Sequence, residues 1–229
     1  MRRTRRLPVA ELEPYLLDLD SGRGSAGARE RGSAGARSRA PALSAYLDWQ
    51  IVFGNDHPVE VEVGFGKGLF LLCAAQARPQ ANFLGIEIER KYQLFTANRL
   101  AKRGLVNVRL ACTDARIFFR DCIADCSVQA IHIYFPDPWW KKRHHKRRVF
   151  TEEFAGQCAR VLVRGGELFV LTDVADYFAL IQKLLARQPA LTPLPPDQAT
   201  AAADLDYLTN FDRKYRQEGR AIHRATYVK

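Results

Sequence analysis

Apolar segments typical of β-strands alternate with helix-like segments along most of the chain. The strand-like segments are rich in branched and aromatic residues and end near glycine, proline or an acid. Repeated strand–helix units predict an α/β fold, with a mostly parallel sheet and helices on both faces. The predicted strands cover residues 58–63, 82–88, 106–111, 128–135 and 167–172, the predicted helices cover 69–77, 91–103, 115–124, 151–163 and 175–187, and an extended end covers 221–228.

An acidic residue ends each of the five predicted strands: Glu62, Glu87, Asp114, Asp137 and Asp173. Ligands of open parallel sheets bind outside the carboxyl ends of the strands. Carboxylates at that edge would repel a phosphate-bearing cofactor and favour a cationic one with a ribose and an adenine, so S-adenosylmethionine fits better than NAD or ATP. Taken singly, Glu87 is equally well explained as a surface carboxylate, and Asp114 and Asp173 as helix caps. Asp137, held between two prolines, is the stronger functional candidate.

A glycine-rich turn, GFGKG at residues 64–68, follows the first predicted strand. Glycine at alternate positions permits a sharp turn and lets a ligand approach the backbone closely. Gly64 and Gly66 are therefore candidates for cofactor contact. Position 69 is Leu, so the GxGxxG fingerprint of dinucleotide-binding proteins is broken, and a nicotinamide-dependent oxidoreductase is disfavoured.

The net charge of +10 is concentrated in a few segments. Residues 139–148, WWKKRHHKRR, carry six bases and no acid, and we call them the basic segment. Clustered Lys and Arg indicate a polyanionic partner, because they neutralise phosphates and release counterions. A solvated loop without a partner is the alternative. Trp139 and Trp140 favour RNA, since aromatic rings beside cations stack on unpaired bases.

The composition predicts two parts of the chain. GSAGAR occurs at 24–29 and again at 32–37, which predicts a flexible, basic, low-complexity N-terminal arm over residues 1–40 and a single domain over 41–229. No metal is expected, because the five cysteines lack CxxC spacing and His144 and His145 lack a third ligand. No secretory signal or membrane-spanning run is recognised, so we expect a cytoplasmic protein without membrane contact.

Five longer motifs combine these features: VEVGFGKG at 61–68, GIEIERK at 85–91, YFPDPWWKKRHHKRR at 134–148, LTDVADY at 171–177 and TNFDRKYRQEGRAIHRATY at 209–227. With them the chain resembles the bacterial tRNA (guanine-N7)-methyltransferases over roughly residues 50–229. The resemblance implies a Rossmann-like S-adenosylmethionine-dependent methyltransferase fold with about seven strands. It implies methylation of guanine N7 in tRNA, at the variable-loop guanosine of position 46, with S-adenosylhomocysteine as product. tRNA is the expected partner, and no obligatory protein partner is evident.

The resemblance also implies roles for individual residues. Asp137 would be the active-site residue. The residues that would contact the cofactor are Glu62, Gly64, Gly66, Glu87, Asp114 and Asp137. Those that would contact the substrate are Lys141, Asp173, Thr209, Asn210, Phe211 and Asp212. Those that would lie against the RNA are Arg143, His144, His145, Lys146, Arg147 and Arg148.

The chain departs from the family pattern in two places. Asp212 stands where the family has Glu, a carboxylate longer by one methylene, which bears on its reach to the guanine. The repetitive segment 21–39 has no counterpart. Two further interpretations stay open: a non-catalytic RNA-binding protein with a degenerate Rossmann-like core, and a methyltransferase that acts on another RNA or base.

Overall fold

Strands and helices alternate through the computed structural model, which describes residues 7–17, 46–195 and 221–229. The strands are β1 (Val59–Val63), β2 (Asn82–Glu87), β3 (Val108–Cys112), β4 (Val128–Tyr134), β5 (Leu162–Thr172), β6 (Thr192–Leu194) and β7 (His223–Val228). The helices are α1 (Trp49–Phe53), α2 (Leu69–Ala77), α3 (Arg90–Ala101), α4 (Ala115–Cys122), α5 (Glu152–Val161) and α6 (Ala175–Leu185). None of the helices in these ranges is long and apolar enough to cross a membrane.

The described strands form one sheet of order β3-β2-β1-β4-β5-β7-β6. Pairing is parallel from β3 to β5, whereas β7 runs antiparallel to β5 and β6. Apolar side chains of α2 and α3 pack on one face, and those of α4, α5 and α6 pack on the other. The predicted fold class is therefore confirmed. The strand order reverses between β1 and β4, which is where ligands bind in sheets of this kind.

The boundary between α5 and β5 differs from the predicted one. Residues 162 and 163, predicted as helix, and the glycine turn at 164–166 all belong to β5. Gly165 has φ of +77°, and the pairing of β5 with β4 shifts register between Val128 and Ala130. The N–H of Gly165 donates to the carbonyl of Lys229, 2.8 Å away. The strand therefore continues through an irregularity that hydrogen bonds with Lys229 stabilise, which local sequence does not reveal.

Part of the predicted arm packs against the domain. Residues 7–17 lie along β3, where Leu16 forms a parallel bridge with Leu110 and the N–H of Leu17 donates to the Leu110 carbonyl at 2.9 Å. Leu12 and Tyr15 are buried there. Residues 18–45, with both GSAGAR copies, lie outside the described residues, so the domain boundary at residue 40 stays a prediction.

A buried hydrogen-bond chain joins β1 to β4 beneath α2. Nε2 of His132 lies 2.8 Å from Oε2 of Glu60, and Nδ1 of His132 lies 2.8 Å from the hydroxyl oxygen of Tyr134. Arg78, directly after α2, contacts both carboxylate oxygens of Glu60. The His132 ring also stacks on Phe169 of β5, with 5.0 Å between ring centroids. One imidazole thus connects three adjacent strands.

The pKa shifts decide where the protons of this chain lie. Burial lowers the pKa of His132 more than the neighbouring Glu60 raises it, so the imidazole is neutral. Burial alone would raise the pKa of Glu60, but the hydrogen bonds and charges of His132 and Arg78 outweigh it and lower that pKa. Burial raises the pKa of Tyr134. The imidazole therefore donates a hydrogen bond from Nε2–H to Glu60 and accepts one at Nδ1 from the Tyr134 hydroxyl.

His132→Phe is expected to flatten the acid dependence of the free energy of unfolding. Because the folded-state pKa of His132 lies below the unfolded value of about 6.5, the unfolded chain binds more protons. The stability contributed by the neutral ring is present above that pH and is lost as the pH falls through the folded-state pKa. In urea titrations from about pH 7 to about pH 5, wild type should lose stability more steeply than the variant. His145→Phe, at an exposed histidine, should keep the wild-type slope, and equal slopes for wild type and His132→Phe would contradict the assignment.

Candidate active site

The carboxyl ends of β1 to β5 meet at one edge of the sheet, and the five predicted acids follow them there. Glu62 lies within the last two residues of β1, and Glu87 ends β2. Asp114 and Asp137 lie in the loops after β3 and β4, and Asp173 directly follows β5. Because these strands pair in parallel, the structure brings the five acids to the same edge.

The turn between β1 and α2 forms an open cradle at this edge. Gly64 and Gly66 have φ of +76° and +50°, the left-handed region that favours glycine. A Cβ built on either would meet no atom of the described residues within 4 Å. The N–H of Gly66 donates to Oε2 of Glu87 at 3.0 Å, and the Thr96 hydroxyl donates to the Gly66 carbonyl at 3.3 Å. The turn is therefore anchored to β2 and α3 while space beside its backbone stays open to a ligand.

Glu62 is a buried carboxyl beside this cradle. Only 3% of the residue is exposed, and its Oε2 has no hydrogen-bond partner among the described residues. Burial raises the pKa of Glu62 well above its ordinary value, and the charge of Glu87 raises it further, while the backbone N–H of Leu71 acts in the opposite direction. A buried polar atom without a partner needs an explanation in a folded protein. A ligand that donates a hydrogen bond or carries a positive charge would provide one.

Glu87 and Asp114 already accept hydrogen bonds within the protein. Oε1 of Glu87 accepts from the N–H groups of Ile88 and Glu89 at 2.9 and 3.1 Å, in addition to the bond from the glycine turn. Asp114 caps α4 by accepting from the N–H of Arg116 at 2.9 Å, and the Arg116 guanidinium contacts both of its oxygens. The side-chain hydrogen bond from Arg116 lowers the pKa of Asp114. Both carboxylates thus fix loops at the edge, and their contact with a cofactor stays a prediction.

Asp137 lies in a strained loop after β4. Phe135 and Trp139, on either side of residues 136–138, have φ of 51° and 45°, a conformation that costs a bulky residue roughly 1–2 kcal/mol. The N–H of Phe135 donates to the Leu171 carbonyl of β5 at 2.7 Å, which holds the start of the loop. Backbone strain of this kind clusters at functional sites. The exposed Asp137 lines an open pocket of about 330 Å³, whose other walls are Pro138, Trp139, Trp140, Lys141 and His144.

The basic segment presents most of its charge to solvent beside this pocket. Residues Lys142–Arg147 form a 3-10 helix that begins after Lys141. Five of the predicted substrate and RNA contacts are exposed: Lys141, Arg143, His145, Lys146 and Arg147. Two others, His144 and Arg148, are half-buried. No group of three potential metal ligands, these histidines included, occurs in the described parts of the chain. The geometry is thus a cationic surface next to an acidic edge.

The remaining predicted substrate residues divide into two groups. Asp173 is half-buried between β5 and α6 and interacts within the protein. The hydroxyl of Thr172 accepts from the N–H of Val174 at 3.2 Å, which fixes the turn that carries Asp173. Four predicted residues lie outside the described residues: Thr209, Asn210, Phe211 and Asp212.

Known proteins share both the sequence and the arrangement of strands. A family described as "Putative methyltransferase" matches residues 56–225. The chain is 45% identical over 194 residues to the tRNA (guanine-N(7)-)-methyltransferase of Rhodopirellula baltica, covering 82% of this chain and 72% of that protein. It is 37% identical over 181 residues to the Vibrio cholerae protein of the same name, covering 77% and 73%. The chain belongs to the tRNA (guanine-N7)-methyltransferase family.

A solved structure agrees with this membership at the level of the fold. The 30S ribosomal A1408 methyltransferase from an uncultured bacterium aligns with a TM-score of 0.53 at 13% identity, covering 79% of this chain and 92% of that one. An identity this low supports the fold alone. The Rossmann-like methyltransferase fold expected from the resemblance is confirmed.

Two arginines of this family member connect the basic segment to the acidic edge. Nε of Arg148 donates to the Pro138 carbonyl at 2.6 Å, and its guanidinium lies 4.8 Å from the centre of the Tyr177 ring. Arg116, besides holding Asp114, donates from Nη1 to the Lys146 carbonyl at 3.0 Å. The guanidinium of Arg148 is therefore engaged by the loop that carries Asp137, and its contact with RNA stays a prediction.

Sequence reasoning misses Arg116 and Tyr177. Arg116 lies two residues after Asp114 at the start of α4, which is a signal for a local ion pair but not for a contact with residue 146. Tyr177 lies in the LTDVADY motif, yet only the fold places its ring under Arg148. The contacts of Arg116 with Lys146 and of Tyr177 with Arg148 join residues distant in sequence, so no local sequence pattern predicts them.

Paired substitutions separate the two kinds of basic residue. Arg148→Gln is expected to lower the free energy of unfolding by about 1.5–3 kcal/mol, since it removes a charge-assisted hydrogen bond to a carbonyl. Lys146→Gln, at an exposed position, should change that free energy by no more than about 0.5 kcal/mol. It should instead flatten the salt dependence of RNA binding by about 0.7–0.9 in log–log slope, because one phosphate is no longer neutralised. Urea titration and filter binding at several salt concentrations measure both. An unchanged salt slope for Lys146→Gln, or full stability for Arg148→Gln, would contradict these roles.

Proposed function

We propose that this protein transfers the methyl group of S-adenosylmethionine to N7 of a guanine in tRNA, giving 7-methylguanosine. We further propose that the target is the variable-loop guanosine at position 46. The observation that carries the proposal is the Asp137 pocket, in which an acid from the carboxyl ends of the strands lines the same cavity as Trp140 and Lys141 of the basic segment. The names of the relatives described above agree with this activity.

The residues at the acidic edge fit S-adenosylmethionine, which when bound supplies an electrophilic methyl group on a positively charged sulfur. Gly64 and Gly66 leave backbone open to a ligand, and Glu62 offers an oxygen that lacks a partner among the described residues. A cationic ligand would favour the ionised form of Glu62, because a nearby positive charge lowers the pKa that burial raises. Glu87, held by three backbone N–H groups, is oriented to accept from ribose hydroxyls.

Methylation of N7 requires the protein to align the base with the methyl group more than to transfer a proton. Guanine N7 carries a lone pair at neutral pH, so no base has to remove a proton. Holding N7 in line with the methyl carbon makes available effective molarities on the order of 10⁵ M or more. Bound S-adenosylmethionine would supply the methyl carbon to the N7 lone pair; the electron pair of the broken carbon–sulfur bond would stay on sulfur, and the positive charge would pass to the purine. The Asp137 carboxylate at the pocket would stabilise that charge.

The other edge of the guanine suits a second carboxylate. With N7 towards the methyl group, N1–H and the 2-amino group form two donors on the opposite side of the base. Asp173, at the end of the neighbouring strand β5, is one proposed acceptor. Asp212 is the other. A carboxylate that accepts both hydrogen bonds would select guanine over adenine.

The basic segment would position the tRNA without choosing the base. Its exposed cations lie beside the pocket and suit phosphate oxygens, which fix the register of the RNA but carry no sequence information. The proposed contacts are Lys141, Arg143, His144, His145, Lys146 and Arg147. Base choice is then left to the pocket and the acids around it.

Incubation with methyl-labelled S-adenosylmethionine and unmodified tRNA, followed by mass spectrometry of the nucleosides, tests the proposal. The expected product is 7-methylguanosine at position 46, with none in a tRNA that carries adenosine there. Absence of 7-methylguanosine would contradict the activity. Its presence only at other positions would contradict the proposed target.

Variants in the same assay test the two acids. Asp137→Asn should lower the methylation rate about a hundredfold, the usual effect of losing one group that stabilises developing charge. Asp173→Ala should lower the rate and relax the choice of base. Asp176→Ala removes an exposed acid from the first turn of α6 and should keep the wild-type rate. If Asp173→Ala retained both the rate and the base choice, its role in reading guanine would be excluded.

A further inference from the structure

Trp140 is exposed although its neighbour is covered. The residue is 70% exposed. Trp139, in contrast, lies under the Arg147 guanidinium, 5.0 Å from the ring centre, and meets the His144 ring edge-on at 5.8 Å between centroids. A tryptophan contributes to stability mainly through the 150–250 Å² that it buries. Because Trp140 forgoes most of that burial, packing does not explain it.

The exposed ring of Trp140 borders the pocket. Trp140 lines the pocket together with Asp137, Lys141 and His144. The preceding residue, Trp139, has a left-handed backbone, and Arg148 binds the carbonyl of Pro138 one residue earlier. The backbone that carries the indole is thus fixed on its N-terminal side. An exposed aromatic ring on a fixed backbone, beside an exposed carboxylate, forms a platform for a flat ligand.

The charge around the ring identifies the class of ligand. Lys141, Arg143 and Lys146 are exposed in the same segment, which contains no acid. Cations that bind phosphates, combined with an aromatic face on which a base stacks, are the pattern of proteins that bind unpaired nucleotides. An acidic peptide would satisfy the cations but would leave the indole face without a flat partner. The ligand that satisfies both features is an unpaired nucleotide of an RNA.

We propose that Trp140 stacks on the target guanine and that its π face stabilises the positive charge that the purine gains on N7 methylation. The proposal rests on the proposed function and deepens it. Guanine is neutral before the transfer and 7-methylguanine is cationic after it, and tryptophan is the best cation–π partner among the side chains. The interaction therefore strengthens as the methyl group is transferred. An interaction that is stronger in the transition state than in the ground state raises the rate constant and not only the affinity.

Three variants distinguish the effect of the Trp140 aromatic face from that of its apolar bulk and from the effect of losing any exposed aromatic ring. Trp140→Phe keeps an aromatic face, whereas Trp140→Leu keeps apolar bulk without one. Under single-turnover conditions with saturating unmodified tRNA, Trp140→Leu should lower the methylation rate by about tenfold or more. Trp140→Phe should stay within about fivefold of wild type. Phe95→Leu, which removes an exposed aromatic ring from α3, should keep the wild-type rate.

A binding measurement without the cofactor provides a readout besides activity. Wild type should bind tRNA that contains 7-methylguanosine at the target about threefold more tightly than unmodified tRNA, because the methylated base is a cation. Trp140→Leu should lose this preference, and Trp140→Phe should keep part of it. Because the ring is exposed, thermal unfolding of the three variants should match wild type.

The outcomes distinguish the stacking role from the proposed function. Equal rates and equal preferences for Trp140→Leu and wild type, with wild type active, would overturn the stacking role alone. Equally large decreases in Trp140→Leu and Trp140→Phe would also overturn it, since the aromatic face would then not matter. If wild type forms no 7-methylguanosine, the proposed function itself fails.

Discussion

The contact between β1 and β4 is the constraint on which the rest of the site depends. The strand order reverses between these two strands, so their carboxyl ends border the crevice of the sheet. Glu60 of β1 and His132 of β4 are joined in the buried face beneath that end. Two residues further along the same face of β1 lies Glu62, and β4 continues into the loop of Asp137. A displacement between the two strands would therefore displace both candidate groups.

Opposite charges divide the molecule into two adjoining surfaces. Among the acids at the edge, Glu62 and Glu87 are buried and Asp114 caps α4, whereas Asp137 is exposed at the pocket. Glu62 is so poorly solvated that its pKa rises. The cations of the basic segment are mostly exposed and keep their charge available to a polyanion. Arg116 and Arg148 join the two surfaces, since each contacts a backbone carbonyl in or beside the basic segment. A cationic cofactor and an anionic RNA would thus meet at the Asp137 loop without competing for the same groups.

The parts of this site that can be predicted from the sequence are those that depend on local sequence patterns. Strands that alternate with helices predict the parallel sheet. An acid at or just after the end of each strand predicts which edge of the sheet binds the ligand. The bulge at Gly165 cannot be predicted from local sequence, because the partner of its N–H is Lys229, which is distant in sequence. The role of His132 could not be predicted for the same reason. Its position in a strand-like segment is evident from the sequence, but only the fold places Glu60 beside it. The inward direction of Arg148 depends on Tyr177 and Pro138, so composition cannot separate it from the exposed cations around it.

The central claim is that the acidic edge selects a cationic nucleoside cofactor that lacks phosphate. Calorimetric titration of the full chain with S-adenosylmethionine, NAD and ATP in parallel, for wild type and Glu62→Gln, tests it most directly. We expect binding of S-adenosylmethionine alone, weakened about tenfold or more in Glu62→Gln, because the amide cannot carry the negative charge that a cation requires. Binding of NAD or ATP as tight as that of S-adenosylmethionine, or no binding of S-adenosylmethionine at all, would contradict the claim.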